Sequence, residues 1–327
     1  MRPKRPSVAS PNRARVLRTA AGATASTLLL PTALARAAGD RSGAVPRTPA
    51  GGGGMHTRTI PSTGEALPVI GCGTYQGFDV AADSPGYRRL PEVLRALFDA
   101  GGSVLDSSPM YGRSEAVTGA LLAASGERAR AFLATKVWIR GRDEGERQMQ
   151  ESMRLLQAET IDLMQVHNLV DWRTQLATIR DWKAQRRIRY IGVTHYTASA
   201  YRELEAVLRA EPLDFVQLNY ALDDREAEQR LLPLAADRGI AVLVNRPFGG
   251  GGLLRRLRDR PLPGWAPEIG ARSWAQVLLK FVLSHAAVTC AIPGTGRPEH
   301  MADNAQAGRG LIPEPAFWSK HASSLPG

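Results

Sequence analysis

The stretch Ile188–Tyr220, IRYIGVTHYTASAYRELEAVLRAEPLDFVQLNY, decides the fold. It holds two short apolar runs, Ile188–His195 and Phe215–Tyr220, separated by a longer amphipathic segment, Ala198–Arg209. The runs have strand length, and their nearly unbroken apolar character suits strands covered on both faces. The segment between them is long enough for the helical crossover that parallel neighbours require. The same texture extends in both directions. Further apolar runs are Val69–Tyr75, Ser103–Asp106, Phe132–Val137, Ile161–His167, Ile240–Asn245 and Val288–Pro293. Helical segments are expected at Leu90–Ala100, Ser114–Ala124, Glu146–Gln157, Glu226–Arg238 and Ser273–His285. In the last of these, Trp274, Val277, Leu278, Phe281 and Val282 recur at helical spacing and predict a buried stripe. Eight strand–helix units in about 260 residues predict an α/β fold, a single closed (β/α)8 TIM barrel rather than an open doubly wound sheet. The barrel is expected over residues 55–316, with a C-terminal tail at 317–327.

Two features interrupt the rhythm. Thr57–Pro68, with Ser62-Thr63-Gly64 as its turn, predicts a hairpin across the barrel floor. Pro247–Arg272 is long and contains Gly249–Gly252, which suits a lid or ligand clamp at the C-terminal end of a strand.

Composition narrows the classes of function. The chain has 327 residues, 43% hydrophobic and 22% charged, a globular balance that excludes wholesale disorder, collagen-like repeats and a coiled coil. Two cysteines are too few for a disulfide scaffold or a four-thiolate zinc site, and the six histidines show no metal-binding spacing. Cys72 and Cys290 fall on neighbouring barrel strands and are expected as buried thiols rather than a bridge. The net charge of +11 suggests nucleic acid until it is located. Residues 1–54 hold nine basic groups against Asp40 alone, leaving only +3 for the remaining 273 residues. The folded part therefore lacks the basic footprint a nucleic-acid binder needs.

The leader itself follows a secretory plan. A basic region ends at Arg18, an apolar stretch of small residues runs to about Ala35, and Ala33-Leu34-Ala35 or Ala35-Arg36-Ala37 offers a cleavage site. The apolar stretch is too short for a membrane span. Arg13-Ala14-Arg15-Val16-Leu17-Arg18 resembles a twin-arginine (Tat) export motif, with Ala14 where the second arginine belongs, so both the Tat and the Sec route stay open. Residues 1–37 are expected as the signal and 38–54 as a flexible Gly/Pro linker, giving a periplasmic or extracellular protein. The alternative start is Met55, which would leave a cytoplasmic domain.

Polar residues that end barrel strands face one mouth. Here they are Asp106 with Tyr111 just beyond, Lys136, His167, Thr194-His195, Gln217 with Asn219, Arg246, and Gly294-Thr295-Gly296. A carboxylate, a phenol, an ammonium and an imidazole thus reach one cavity. A phenol near pKa 10 is a poor acid at neutral pH, and a neighbouring ammonium is expected to lower it by favouring phenolate. A carboxylate keeps that ammonium charged. Asp106, Lys136 and Tyr111 would form one unit suited to protonating an oxygen, with His167 orienting the substrate.

These residues carry a resemblance. Leu105-Asp106-Ser107-Ser108-Pro109-Met110-Tyr111-Gly112-Arg113-Ser114-Glu115 is similar to the Asp…Tyr-Gly-x-Ser-Glu segment of the aldo-keto reductases. Ala134-Thr135-Lys136, Gln165-Val166-His167-Asn168, Tyr190–Thr194, Phe215–Tyr220 and Ile292–His300 resemble further segments of that family in order and spacing. The resemblance implies catalytic roles for Tyr111, Lys136, Asp106 and His167, NADP(H) as hydride carrier with NAD(H) as the second possibility, a small carbonyl substrate and no metal. It also implies cofactor contacts from Gly73, Thr74, Thr194, His195, Gln217, Arg246, Gly294, Thr295, Arg297, His300 and Asn304.

The departures are specific. Thr194-His195 stands where many members carry Ser-Asn, and Arg246 where an aromatic usually stacks on nicotinamide. Gly294 and His300 replace a Lys and an Arg of the 2′-phosphate clamp, leaving Arg297 to serve. Two rival readings compete with it: a nucleotide-binding redox sensor with little turnover, and a Schiff-base aldolase using Lys136, which needs a neutral lysine. No partner beyond the small-molecule substrate is expected, and a monomer or weak oligomer suits a single barrel.

Overall fold

A computed structural model describes residues 54–325. The expected signal and linker therefore lie outside the described residues, apart from Gly54. Strands β1 (Thr57–Thr59) and β2 (Ala66–Pro68) pair antiparallel as the predicted hairpin. Eight parallel strands follow: β3 (Cys72–Gly73), β4 (Val104–Asp106), β5 (Phe132–Val137), β6 (Ile161–His167), β7 (Ile188–Thr194), β8 (Phe215–Asn219), β9 (Ala241–Asn245) and β10 (Val288–Ala291). Each pairs with its sequence neighbour. Gly71 N donates to the Ala291 carbonyl at 2.9 Å, Ala291 N to the Val69 carbonyl at 2.9 Å and Gly73 N to the Pro293 carbonyl at 3.2 Å, which stitches the first strand to the last and closes the barrel. Only two residues of Val69–Tyr75 are thus assigned to β3, yet the longer run does form the ladder.

Helices α1 (Pro85–Asp99), α2 (Ser114–Ser125), α3 (Arg142–Leu155), α4 (Trp172–Ala184), α5 (Tyr201–Ala210) and α6 (Leu231–Asp237) connect these strands. Then come α7 (Gly252–Arg256), α8 (Trp274–Ser284), α9 (Pro298–Gln306) and α10 (Pro315–Lys320). Local chemistry sets several boundaries. Ser84 accepts a hydrogen bond from Tyr87 N and Pro85 takes the first helical position, so α1 begins five residues before the expected Leu90. The expected Glu226–Arg238 helix splits into a 3-10 turn at Glu226–Glu228 and α6, which places Pro233 in a first turn, where a missing N–H costs nothing. Trp182 lies buried near the end of α4. Helix α10 spans the expected start of the C-terminal tail at 317, and Trp318, 4% exposed, packs edge-on against Trp265 and Phe281.

The two-residue period of the strands builds the site. Phe132 and Ala134, Leu163, Tyr190, Phe215, Ala241 and Leu243 form an inner apolar cluster with Ile60 and Leu67 of the hairpin, which closes the floor. The alternate residues Leu133, Met164, Val166, Ile191, Val193 and Val216 belong to the outer cluster under the helices. Continuing each inward row upward gives Lys136 on β5, Gln165 and His167 on β6, Thr194 on β7, Gln217 and Asn219 on β8 and Asn245 on β9. The apolar floor thus becomes a polar mouth within two steps of the same strands. Gly192 interrupts the inward row of β7 because a Cβ there would stand 2.8 Å from the Phe215 carbonyl oxygen and 3.2 Å from its Cβ. Among the described residues, no helix is long and apolar enough to cross a membrane, and no group of three or more His, Cys, Asp or Glu side chains is placed to hold a metal. Cys72 and Cys290 are buried free thiols, the former pushed up to about 12 by burial.

Candidate active site

Lys136 is the centre of the site. Its side chain is wholly buried, and Nζ donates to Asp106 Oδ2 at 2.6 Å and to the Ser107 carbonyl at 2.7 Å. It also lies 4.9 Å from the centroid of the Tyr111 ring. The other carboxylate oxygen of Asp106 accepts Gln165 Nε2 at 3.1 Å and Gln217 Nε2 at 2.8 Å. A buried carboxylate so fully paired keeps the ammonium charged. Burial alone would disfavour the ammonium, but Asp106 and the phenol outweigh it and hold the Lys136 pKa above its ordinary value. This removes the aldolase reading, which needs a neutral amine.

Tyr111 sits in the turn between β4 and α2. Tyr111 N donates to the Ser108 carbonyl at 3.0 Å and Ser114 N to the Tyr111 carbonyl at 3.1 Å. The turn needs glycine at 112, which has φ +59° and would place a Cβ 2.4 Å from the Asp79 carboxylate. Asp79 Oδ1 in turn accepts Arg113 N at 3.0 Å, clamping the segment from above. Burial raises the Tyr111 pKa above 10, and the opposing pull of Lys136 does not overcome it. The expectation of a lowered phenol is corrected accordingly: desolvation exceeds the effect of an ammonium that is already paired with Asp106. Tyr111 therefore holds its proton throughout the neutral range.

His167 is mostly buried, its ring edge-on to Tyr111 at 6.1 Å and 6.4 Å from Trp138. Burial, then the nearby Lys136 and His195, push its pKa down to about 3, so the imidazole is neutral. His195 is half-buried, and its Nδ1 accepts Tyr196 N at 3.1 Å and Thr197 N at 3.3 Å. That places the His195 proton on Nε2, making that nitrogen a donor. Thr194 Oγ1 reaches Gln217 Oε1 at 3.4 Å, and Asn245 Nδ2 reaches the same oxygen at 3.3 Å.

The remaining expected cofactor residues divide into two groups. Gly73 bridges to Gly294, bringing the loops after β3 and β10 together. Thr74 spends its hydroxyl on the Asp106 carbonyl at 3.1 Å and Ser107 Oγ at 3.0 Å, and Gln217 donates to Asp106, so these two act as struts for the acid–base unit. Arg246, with φ +50°, holds its guanidinium 5.7 Å from the exposed Tyr196 ring. Thr295 Oγ1 accepts Arg297 N at 3.1 Å, and Arg297 Nε donates to Glu299 Oε1 at 2.7 Å at the start of α9. His300 is exposed on α9, whereas Asn304 is buried there. Its neighbour Asp303 is engaged by Ser273 Oγ and Gln276 Nε2, both at 2.6 Å.

Sequence reasoning missed Gln165, Ser107 and Asp79 as parts of the site. Gln165 was within reach of the inward alternation two residues before His167. Ser107 acts through a backbone carbonyl and Asp79 through a tertiary loop contact, and neither leaves a sequence signal.

The sequence model of the aldo/keto reductase family matches residues 69–314. The chain is similar to the methylglyoxal reductase YeaE of Escherichia coli (strain K12), with 30% identity over 262 residues, covering 77% of this chain and 89% of that protein. It is also similar to the aldo-keto reductase YhdN of Bacillus subtilis (strain 168), with 29% identity over 205 residues, 58% of this chain and 61% of that one. Among solved structures, an aldo/keto reductase from Klebsiella pneumoniae in complex with NADP and acetate superposes with a TM-score of 0.68 at 26% identity, covering 81% of this chain and 94% of its own.

Proposed function

The chain belongs to the aldo/keto reductase family of oxidoreductases, and from that premise we propose that it reduces a small carbonyl compound with NADP(H), Tyr111 acting as general acid. One observation carries the reading: Lys136 Nζ, paired with Asp106 at 2.6 Å, lies 4.9 Å from the centroid of the Tyr111 ring, which stands edge-on to His167.

The residues present fit a dinucleotide. Asn245 Oδ1 is buried at the mouth without a hydrogen-bond partner among the described residues, an acceptor suited to a carboxamide N–H. His195 Nε2–H supplies a donor just after β7, Arg246 a cationic plate, and the start of α9 with Arg297 an anion site. When bound, reduced nicotinamide supplies the hydride. The chain's own residues then manage the oxygen: as the carbonyl carbon gains hydride, its π pair moves to oxygen, and Tyr111 Oη gives that oxygen its proton. Lys136 balances the phenolate so formed, and Asp106 prevents the ammonium from losing its proton instead. His167, being neutral, orients the carbonyl without competing as an acid. A purely sensing protein would need none of this.

The carbonyl class to try first is the α-oxoaldehyde acted on by YeaE, followed by simple aldehydes, ketones and quinones. Fluorescence titration with NADPH and NADH, then turnover followed by nicotinamide absorbance, tests the reading; binding without turnover across that panel would refute it. The pH dependence has a definite sign. Tyr111 is raised and His167 lowered to about 3, so neither titrates between pH 5 and 9 and reduction is expected to show no break near 6.5. A pH profile of kcat/KM with a descending limb centred near 6.5 would contradict the neutral His167.

Residues 1–37 we propose as an export signal and 38–54 as its linker, supported by the order of basic region, apolar stretch and small-residue cleavage site. Cell fractionation of the full-length tagged protein is expected to find a shortened form outside the cytosol. Wholly cytosolic full-length protein would overturn this. As a single barrel the enzyme is proposed to work as a monomer or weak oligomer.

A further inference from the structure

Ser108 lies at the heart of the mouth, fully buried, three residues before Tyr111. Its Oγ accepts Met110 N at 3.2 Å and stands 3.2 Å from His167 Nδ1. The backbone donor uses one lone pair of the hydroxyl oxygen. The hydroxyl proton then needs an acceptor, and among the described residues His167 Nδ1 is the one recorded within reach. A buried hydroxyl left without an acceptor forfeits the hydrogen bond it makes to water when exposed, so the proton goes to Nδ1. That fixes the imidazole in the form that carries its own proton on Nε2.

We propose that Ser108 is a positioning residue that sets the His167 tautomer, so that Nε2–H faces the mouth as a hydrogen-bond donor to the substrate oxygen. This rests on the reading of His167 as the group that orients the carbonyl. A carbonyl oxygen has two lone pairs, and with this tautomer one receives Nε2–H while the other faces the Tyr111 hydroxyl. With the opposite tautomer, Nε2 would present a lone pair to the substrate oxygen and repel it. The neutral state of His167 is required as well, since an imidazolium would have no acceptor for the Ser108 hydroxyl.

The test separates the tautomer from catalysis. In protein labelled with 15N-histidine, long-range 1H–15N correlation at neutral pH distinguishes the two ring nitrogens, with the His167 signal identified by its loss in His167→Gln. The wild type is expected to show protonated Nε2 and a bare Nδ1. Ser108→Ala is expected to shift the equilibrium towards Nδ1–H and to lower kcat for carbonyl reduction by about 2- to 10-fold, the worth of one hydrogen bond, with dinucleotide binding unchanged. A wild-type His167 protonated on Nδ1, or the same tautomer in Ser108→Ala as in wild type, would overturn the proposal. A tautomer shift in a protein that reduces no carbonyl would uphold the role of Ser108 and refute the proposed function instead.

Discussion

Tyr111→Phe is expected to lower carbonyl reduction by about 10²–10⁴ while leaving dinucleotide binding intact. The substitution removes one oxygen and keeps the ring. The ring packs 5.0 Å from Tyr75 and beside Lys136, contacts that phenylalanine preserves. On the proposed mechanism, what is lost is the proton delivered to the substrate oxygen as negative charge develops there, for which neither His167 nor Lys136 substitutes. His167 is neutral, with a pKa of about 3, and Lys136 directs hydrogen bonds to Asp106 and the Ser107 carbonyl. Steady-state rates with NADPH, alongside fluorescence titration of the same variant, check both halves; full retained activity would refute the acid role.

Lys136→Met strikes activity and stability together. Without the ammonium, Asp106 becomes a buried carboxylate held, among the described residues, by the amides of Gln165 and Gln217. Breaking a buried ion pair from one side costs about 3–5 kcal/mol, because the remaining charge is left uncompensated. The phenolate also loses its balancing charge, so reduction is expected to fall by about 10²–10³. The double variant Lys136→Met/Asp106→Asn should regain much of the stability and none of the activity. Urea melts of the three proteins read the first effect and rates the second. A single variant as stable as wild type would mean that the pair adds little to the fold.

The barrel was legible because its strands announce themselves twice, by apolar composition and by the polar residue that ends each one. Phe132, Ala134 and Lys136 on one inward row show how the same alternation encodes both floor and site. The eight strands, the hairpin under the barrel and the paired Asp106 and Lys136 followed from such patterns. Segment ends were less legible where a short-range contact decided them, as with the Ser84 cap of α1, or where a distant side chain did, as with Trp318 anchoring α10. The sign of the Tyr111 shift is not legible in the sequence because it sets burial, a three-dimensional quantity, against the charge of Lys136. Asp79 over Gly112, the Ser107 carbonyl under Lys136 and Arg246 against Tyr196 each join segments through geometry that no local pattern records.

The most direct test of the shared proton and hydride site is isotope transfer by the wild-type enzyme. NADPH fully deuterated at nicotinamide C4 is mixed with the full chain and an α-oxoaldehyde, and the alcohol product is examined for the position of the label. The account predicts deuterium on the carbinol carbon, hydrogen from solvent on its oxygen, and loss of the labelled alcohol when Tyr111 is replaced by Phe. An alcohol without deuterium at that carbon, or equal yield from the Tyr111→Phe protein, would contradict it.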